Sequence, residues 1–303
     1  MAGMKQASPS RQSPGRRLFR RQGIIAALAV GFCAVLVGLG GCAPAGAPGE
    51  EPIILDTTGV EPSLDTSDLA DVLAADYATD SDVRKYYLID PLSSEKTAEE
   101  LDRQLRRYVV TGPETTPERF DSPEAELAYW YNVRAAWSLK LLLLKDVPRR
   151  LRRGGLYERR FPVDGRLMTL EDIDAILARD ADWRALAAAP CVKLTRARLP
   201  RSPFTAAGIR ERIAERLSDF VDDERRFVID RRERVIRVPP VIWRYRDRLI
   251  AEHNAGCRTC EATLATALLP YTRGSAHRRL QDAVGLRCVR APETDEIARA
   301  EDF

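Results

Sequence analysis

The spacing of hydrophobic and polar residues predicts helices over most of the chain. Apolar residues recur at helical spacing in Ala98–Tyr108 and again in 206–221, which follows the capping residue Thr205. One face of the 206–221 helix carries four apolar side chains, namely Ile209, Ile213, Leu217 and Phe220. Such a face predicts a helix that packs against a core on one side and meets solvent on the other.

Two short alternating segments predict β-hairpins between these helices. Residues 157–162 and 166–168 flank the turn sequence Val163-Asp164-Gly165, and 226–230 and 234–238 flank a second turn. Helices clustered around antiparallel hairpins indicate a single α+β domain and argue against a parallel sheet built from βαβ units.

The most apolar helix is predicted to begin near Ser122-Pro123, where a capping residue precedes a first-turn proline. It continues to about Leu144. From Leu127 onward, fourteen of its eighteen residues are apolar. The polar exceptions are Asn132, Arg134, Ser138 and Lys140. Four polar side chains in this length exclude a transmembrane helix.

Angular position separates Asn132 from the other polar residues of this helix. At about 100° per residue, Arg134, Ser138 and Lys145 fall within roughly 40° of each other and predict a solvent-facing stripe. Asn132 lies about 160° from that stripe, which predicts a buried amide. A buried amide must be hydrogen-bonded, so Asn132 either bridges backbone groups of a nearby loop or orients a catalytic group.

The N-terminus has the layout of a bacterial export signal. Six basic residues and no acidic residue precede position 24, and an apolar run follows from Ile24 to Leu39. The sequence Leu39-Gly40-Gly41-Cys42 resembles a lipobox, which implies cleavage before Cys42 and lipid on its sulfur. The alternative is an uncleaved anchor helix, although sixteen apolar residues are short for a membrane span. Both interpretations predict an exported, membrane-attached body.

Removing the signal changes the charge argument and sets the predicted domain boundaries. The mature chain keeps 42 basic and 45 acidic residues, so it is slightly acidic and offers little support for nucleic-acid binding. Four segments are therefore expected: a signal over 1–41, a Pro/Gly-rich flexible tether over 42–66, a folded domain over 67–290 and an acidic tail over 291–303.

Two blocks of the chain are distinctive, "FDSPEAELAYWYNVRAAW" and "YERRFPVDGRLMTLEDIDAILAR". They resemble the bacterial family called domain of unknown function 547, with weaker likeness in "VPPVIWRYRDRL" and "ATALLPYTRG". Ala128, Trp130, Asn132 and Ala136 match the helix motif of that family. The resemblance implies an exported protein with a papain- or transglutaminase-like α+β architecture, and hence thiol chemistry.

The chain departs from the family where the family carries its thiol. The family's first cysteine and its histidine correspond to Ala197 and Val192 in this sequence, and its second cysteine to Ser202. A thiol hydrolase needs a thiolate and an adjacent base. The departure therefore predicts lost or altered catalysis, with Trp130 and Asn132 kept for the fold.

Four cysteines remain in the predicted domain: Cys191, Cys257, Cys260 and Cys288. One or two structural disulfides are the first expectation for an exported protein. Cys257 and Cys260 could instead form a redox pair, or join His253 and Cys288 in a zinc site. Cys191 with His253 or His277 as its base is the remaining catalytic arrangement. The leading expectation includes neither a metal nor a cofactor.

These observations predict a lipid-anchored binding or structural module of the bacterial envelope. Its expected partners are the membrane, reached through Cys42, and an envelope protein or peptide. The competing function is a thiol-dependent hydrolase that acts on envelope peptide or amide bonds.

Overall fold

The computed structural model describes residues 51–75, 77–78, 86–87, 94–145, 150, 156–179, 182–256 and 261–297. These residues belong to one compact unit. The predicted signal over 1–41, Cys42, Cys257, Cys260 and the end of the predicted tail, 298–303, lie outside the described ranges.

Ten helices and seven strands occur in the described ranges. The helices are α1 (Ser67–Ala75), α2 (Ser94–Val110), α3 (Pro123–Leu143), α4 (Leu170–Leu177), α5 (Trp183–Ala188), α6 (Ile209–Asp222), α7 (Pro240–Trp243), α8 (Arg246–Ala255), α9 (Leu264–Leu268) and α10 (Gly274–Gln281). The strands are β1 (Tyr77–Ala78), β2 (Tyr86–Tyr87), β3 (Phe161–Val163), β4 (Arg166–Met168), β5 (Val228–Asp230), β6 (Val235–Val238) and β7 (Arg287–Arg290). Single 3-10 turns cover Pro117–Arg119 and Leu269–Tyr271.

The strands form three small sheets. β1 pairs with β2, and β3 pairs with β4 in the predicted hairpin, with Phe161 opposite Met168. β5 and β6 form the second predicted hairpin, and β7 adds to β6 in parallel, with Ile236 opposite Cys288. Helices surrounding small sheets confirm the α+β class. The parallel pairing of β7 was not predicted, because its partner lies about fifty residues earlier and local patterning carries no signal for it.

Helix α3 runs through the centre of the body. Ser122 caps it by accepting a hydrogen bond from the Ala125 N–H at 3.2 Å, and every residue from Ala128 to Leu142 is buried. Helices α2, α4 and α6 pack against it. The predicted solvent-facing stripe is wrong for Arg134 and Ser138, which are both fully buried. Because other parts of the body pack around α3, no face of the helix between Ala128 and Leu142 meets solvent.

Residues 51–66 have no helix or strand, but they lie on the folded body. The Ile53 N–H donates to the Arg160 carbonyl at 2.9 Å, and the Ser63 N–H donates to Thr111 Oγ1 at 2.9 Å. The Ile53 side chain is buried in the core. The prediction of a flexible tether over 42–66 is therefore corrected for residues 51–66. The buried Ile53 side chain and these two hydrogen bonds hold the segment on the body.

The first part of the predicted acidic tail is also part of the body. The Ala291 N–H donates to the Val238 carbonyl at 2.8 Å, and Lys193 pairs with Asp295 at 2.6 Å between Nζ and Oδ1. Ile297 is 2% exposed. The Ile297 side chain and the Lys193–Asp295 pair thus hold residues 291–297 against the domain. The folded domain extends beyond the predicted boundary at 290.

The turn of the β3–β4 hairpin is tied to the end of α2. Asp164 has a φ of 51°, and its buried carboxylate accepts from the backbone N–H groups of Glu114 and Thr115. Gly112 lies directly against it, since a Cβ at position 112 would come 2.2 Å from the Asp164 Cγ. The hairpin is therefore fixed in place relative to α2 and α3.

Within the described ranges, no helix combines the length and the apolar character needed to cross a bilayer.

Candidate functional site

Arg134 is the centre of a buried polar cluster. Helix α3 holds its guanidinium inside the body, with Nε 2.6 Å from Asp174 Oδ1 on α4. Nη1 donates to the Pro190 carbonyl, and Nη2 lies 3.3 Å from the Tyr157 hydroxyl. The Arg134 side chain is completely buried. A charge in this position is tolerated because three separate segments supply acceptors for it.

A second guanidinium enters the same cluster from the 190–197 loop. Arg196 Nη2 lies 3.6 Å from Asp174 Oδ2, and its guanidinium lies 5.9 Å from the centre of the Tyr157 ring. Two guanidiniums therefore share the Asp174 carboxylate. The arrangement leaves a local excess of positive charge, which favours a further anion nearby.

Cys191 is the residue that can supply this anion. Its thiol is almost fully buried, at 2% exposed, and its N–H donates to the Ala197 carbonyl at 2.8 Å. Burial alone raises the pKa of the Cys191 thiol. The Arg134 guanidinium, the Lys193 N–H and the Arg196 guanidinium oppose that effect and hold the pKa below its ordinary value. The structure thus stabilises a thiolate in an enclosed position.

Tyr157 is the neutral member of the cluster. Burial raises the pKa of its hydroxyl, and the negative charge at Cys191 raises that pKa further. The cluster therefore disfavours ionisation of the Tyr157 hydroxyl, while its two guanidiniums, from Arg134 and Arg196, favour ionisation of the Cys191 thiol.

The predicted nucleophile–base pair does not form in the described structure. Neither His253 nor His277 makes a hydrogen bond to Cys191 in these residues. His253 lies in the last turn of α8, and the His277 Nδ1 is 3.0 Å from Thr272 Oγ1 and 3.2 Å from the Leu269 carbonyl. Cys191 is therefore placed among arginines and not beside an imidazole base.

Val192 and Ala197, for which the sequence comparison predicted lost catalytic residues, lie in the same loop as Cys191. Both are buried, and residues Pro190 and Ala197 are paired in a parallel bridge. The Cys191 N–H donates to the Ala197 carbonyl, so the two residues are held next to each other in this loop.

Both polar atoms of the Asn132 amide are bonded to one backbone residue. Its Nδ2 donates to the Phe204 carbonyl at 2.9 Å, and its Oδ1 accepts from the Phe204 N–H at 2.7 Å. Asn132 is 3% exposed, as the angular analysis predicted. Trp130 is also buried, with its ring 4.9 Å from that of Tyr129. These contacts favour the structural interpretation of Asn132.

Of the four cysteines predicted to form disulfides, only Cys191 and Cys288 lie within the described residues. Cys191 and Cys288 are free thiols, so the predicted disulfide does not form at either position. They belong to different elements, since Cys191 faces the Arg134 cluster and Cys288 lies on β7. No group of three metal-ligating side chains occurs within the described residues. The redox-pair and zinc hypotheses depend on Cys257 and Cys260, so both remain predictions.

A surface groove that the sequence did not reveal lies between the β3–β4 hairpin and α4. Its volume is about 640 Å³. The residues that line it are Arg160, Arg166, Leu167, Met168, Thr169, Asp172, Ala175, Ile176 and Arg179. The three arginines are separated in sequence, and only the fold brings them to one opening.

Comparison of the chain with protein families, with curated proteins and with solved structures finds no match.

Proposed function

We propose that this chain is an exported, lipid-anchored module of the bacterial envelope that binds a partner and does not catalyse thiol hydrolysis. The supporting observation is the enclosure of Cys191, which is 2% exposed and surrounded by guanidiniums. A thiol hydrolase needs room for a carbonyl at the sulfur and a base or acid for proton transfer. Cys191 is too enclosed to admit a carbonyl at its sulfur, and neither His253 nor His277 is hydrogen-bonded to it in the described residues.

The role assigned to Asn132 supports the same proposal. An orienting amide in a hydrolase directs one polar atom toward the catalytic base. In this chain both atoms hold the Phe204 backbone. The resemblance to domain of unknown function 547 is retained as a proposal, with Asn132 serving the fold.

A thiol-dependent hydrolase is the second candidate, and one observation favours it. The pKa of Cys191 is lowered by Arg134 and Arg196 against the effect of burial, as an activated nucleophile requires. Opening of the 190–197 loop would expose a thiolate. The two candidates therefore differ in whether the Cys191 sulfur is accessible in the native protein.

Alkylation of Cys191 tests that difference. In residues 43–303, which contain the whole described core from Ile53 to Ile297, we expect iodoacetamide at pH 7 to modify Cys191 more than about a hundredfold more slowly than in the unfolded chain, because reaction requires local opening. Peptide mass spectrometry measures the rate at each cysteine. Each cysteine in guanidinium chloride gives its own reference rate, and Cys288, which is partly exposed, is the internal comparison. Fast native modification of Cys191 would support the hydrolase and overturn the proposal.

Substitution of Cys42 tests the anchor independently. We expect Cys42→Ser in the full chain to prevent lipidation and to move the protein from the membrane fraction, because a thiol is the site of lipid attachment in a lipobox. Membrane fractionation and the intact mass of the product measure both effects. Cys33→Ser, within the predicted signal, is the matched control and should leave partitioning unchanged. If the parent chain recovered from the membrane fraction carries no added lipid mass on Cys42, the lipid anchor is wrong.

A further inference from the structure

The surface groove between the β3–β4 hairpin and α4 carries uncompensated positive charge. Arg166 pairs with Glu114 at 2.6 Å, but the exposed side chains of Arg160 and Arg179 have no ion-pair partner among the described residues. The carboxylate of Asp172 is already used, since it accepts from the Thr169 N–H at 2.8 Å in the cap of α4. The groove therefore presents guanidiniums that are free to bind an external anion.

The exposed side chain of Leu167 lines the groove beside these arginines, and Ile54 follows the segment that contacts the Arg160 backbone. Leu167 is 52% exposed on β4, because its neighbours in the hairpin, Phe161 and Met168, take the buried face. Ile54 is 87% exposed and follows Ile53, whose N–H donates to the Arg160 carbonyl. Large apolar side chains next to arginines are typical of surfaces that lie on a lipid bilayer.

The N-terminal segment enters the body at this same surface. Ile53 is fixed at Arg160 by its hydrogen bond and by its burial. Cys42 precedes Ile53 by eleven residues, and eleven extended residues reach about 40 Å at most. A body of this size has a radius of gyration of roughly 18 Å. The chain that leads toward the proposed anchor therefore joins the folded body beside Arg160, one of the residues that line the groove.

We propose that the groove formed by Arg160, Arg166, Leu167 and Arg179 is a docking surface for an anionic phospholipid bilayer. The inference rests on the proposed lipid anchor, and it adds a second attachment. Guanidiniums donate paired hydrogen bonds to phosphate oxygens. The apolar side chains enter the region between headgroups and acyl chains. A basic surface beside the proposed anchor would hold this face of the body against the headgroups.

Vesicle binding by the lipid-free protein tests this inference. Residues 43–303 are mixed with vesicles of phosphatidylglycerol and phosphatidylcholine in equal parts, or of phosphatidylcholine alone, and bound protein is measured by sedimentation. We expect binding to the anionic vesicles only. The double variant Arg160→Gln/Arg179→Gln is expected to bind about 25-fold more weakly, at about fivefold for each arginine. Leu167→Gln should weaken binding even at high salt, since its contribution is apolar.

A second double variant distinguishes binding at the groove from nonspecific attraction between surface arginines and anionic vesicles. Arg231→Gln/Arg232→Gln removes two exposed positive charges from the turn of the β5–β6 hairpin and should change binding by less than about twofold. Equal losses in the two double variants would overturn the proposal, as would anionic-vesicle binding that is unaffected by the groove variant. Failure of the parent to bind vesicles, with groove-dependent binding of a poly-glutamate peptide, would overturn it in favour of an acidic peptide.

These outcomes are distinct from failure of the proposed function. The vesicle experiment uses protein without lipid, so its result does not depend on Cys42. An unlipidated Cys42 in the parent chain would reject the lipid anchor, whereas equal vesicle binding by parent and groove variant would reject the docking surface alone.

Discussion

Replacing Arg134 with methionine is expected to lower the free energy of unfolding by about 3–5 kcal/mol. Methionine fills similar space but leaves the Asp174 carboxylate with Arg196 alone, at 3.6 Å, and leaves the Pro190 carbonyl without its donor. It also removes one of the two guanidiniums that favour the Cys191 thiolate. Urea unfolding of residues 43–303, followed by tryptophan fluorescence, measures the change.

Two further variants make the result for Arg134 interpretable. Arg134→Lys keeps the charge but not the planar fork that reaches three partners, so it should recover only part of the stability. Arg103→Met applies the same chemical change to a half-exposed ion pair with Asp68 at 3.2 Å and should cost less than about 1 kcal/mol. An Arg134→Met protein as stable as Arg103→Met would show that the buried cluster contributes nothing specific.

Replacing Asn132 with leucine is expected to cost roughly 2–4 kcal/mol of unfolding free energy. Leucine has the same branching and number of side-chain heavy atoms as asparagine, but its methyl groups are bulkier, so a part of the cost is steric. The loss arises because the Phe204 N–H and carbonyl are both left without partners in a buried position. The same urea titration measures the effect, and binding through the surface groove should be unchanged once the folded fraction is taken into account.

Asn254→Leu provides the control for the loss of an amide. Asn254 is partly exposed, and its Oδ1 accepts one hydrogen bond, from the Ala262 N–H at 3.1 Å. Its replacement should cost about 1 kcal/mol or less, because water can take over that bond. If Asn132→Leu were equally mild, the connection between α3 and the Phe204 segment would not be a stabilising one.

Local sequence signals predicted several elements of the fold. Ser122 and Pro123 mark the start of α3, and Thr169 with Asp172 forms a complete capping box at α4. Capping depends on residues within one helical turn, so a few adjacent residues of the sequence are sufficient to recognise it. Thr205 is the exception, because its hydroxyl donates to the Ala207 carbonyl, and α6 begins only after Gly208, with a φ of 72°.

The polar cluster at the candidate site could be predicted only in part. The burial of Asn132 followed from its angle on the helix, but the same geometry placed Arg134 in solvent. The angular prediction assumes that the polar face of a helix is exposed to solvent. Arg134 instead finds partners 40 and 56 positions away, at Asp174 and Pro190, and no local pattern contains that information. The surface groove was missed for the same reason, since its arginines come from different elements.

The parallel pairing of β6 with β7 sets the order in which the body can fold. β7 is synthesised after all ten described helices, and the residues that follow it, Asp295 and Ile297, complete contacts with Lys193 and with the core. Helices can form early, during translation, but the central strand of this sheet must wait for a partner that leaves the ribosome late. The nascent chain therefore remains without its closed structure until the residues up to Ile297 have been synthesised. For the exported protein proposed above, this delay leaves time for the chain to be threaded across the membrane before it becomes too rigid to pass.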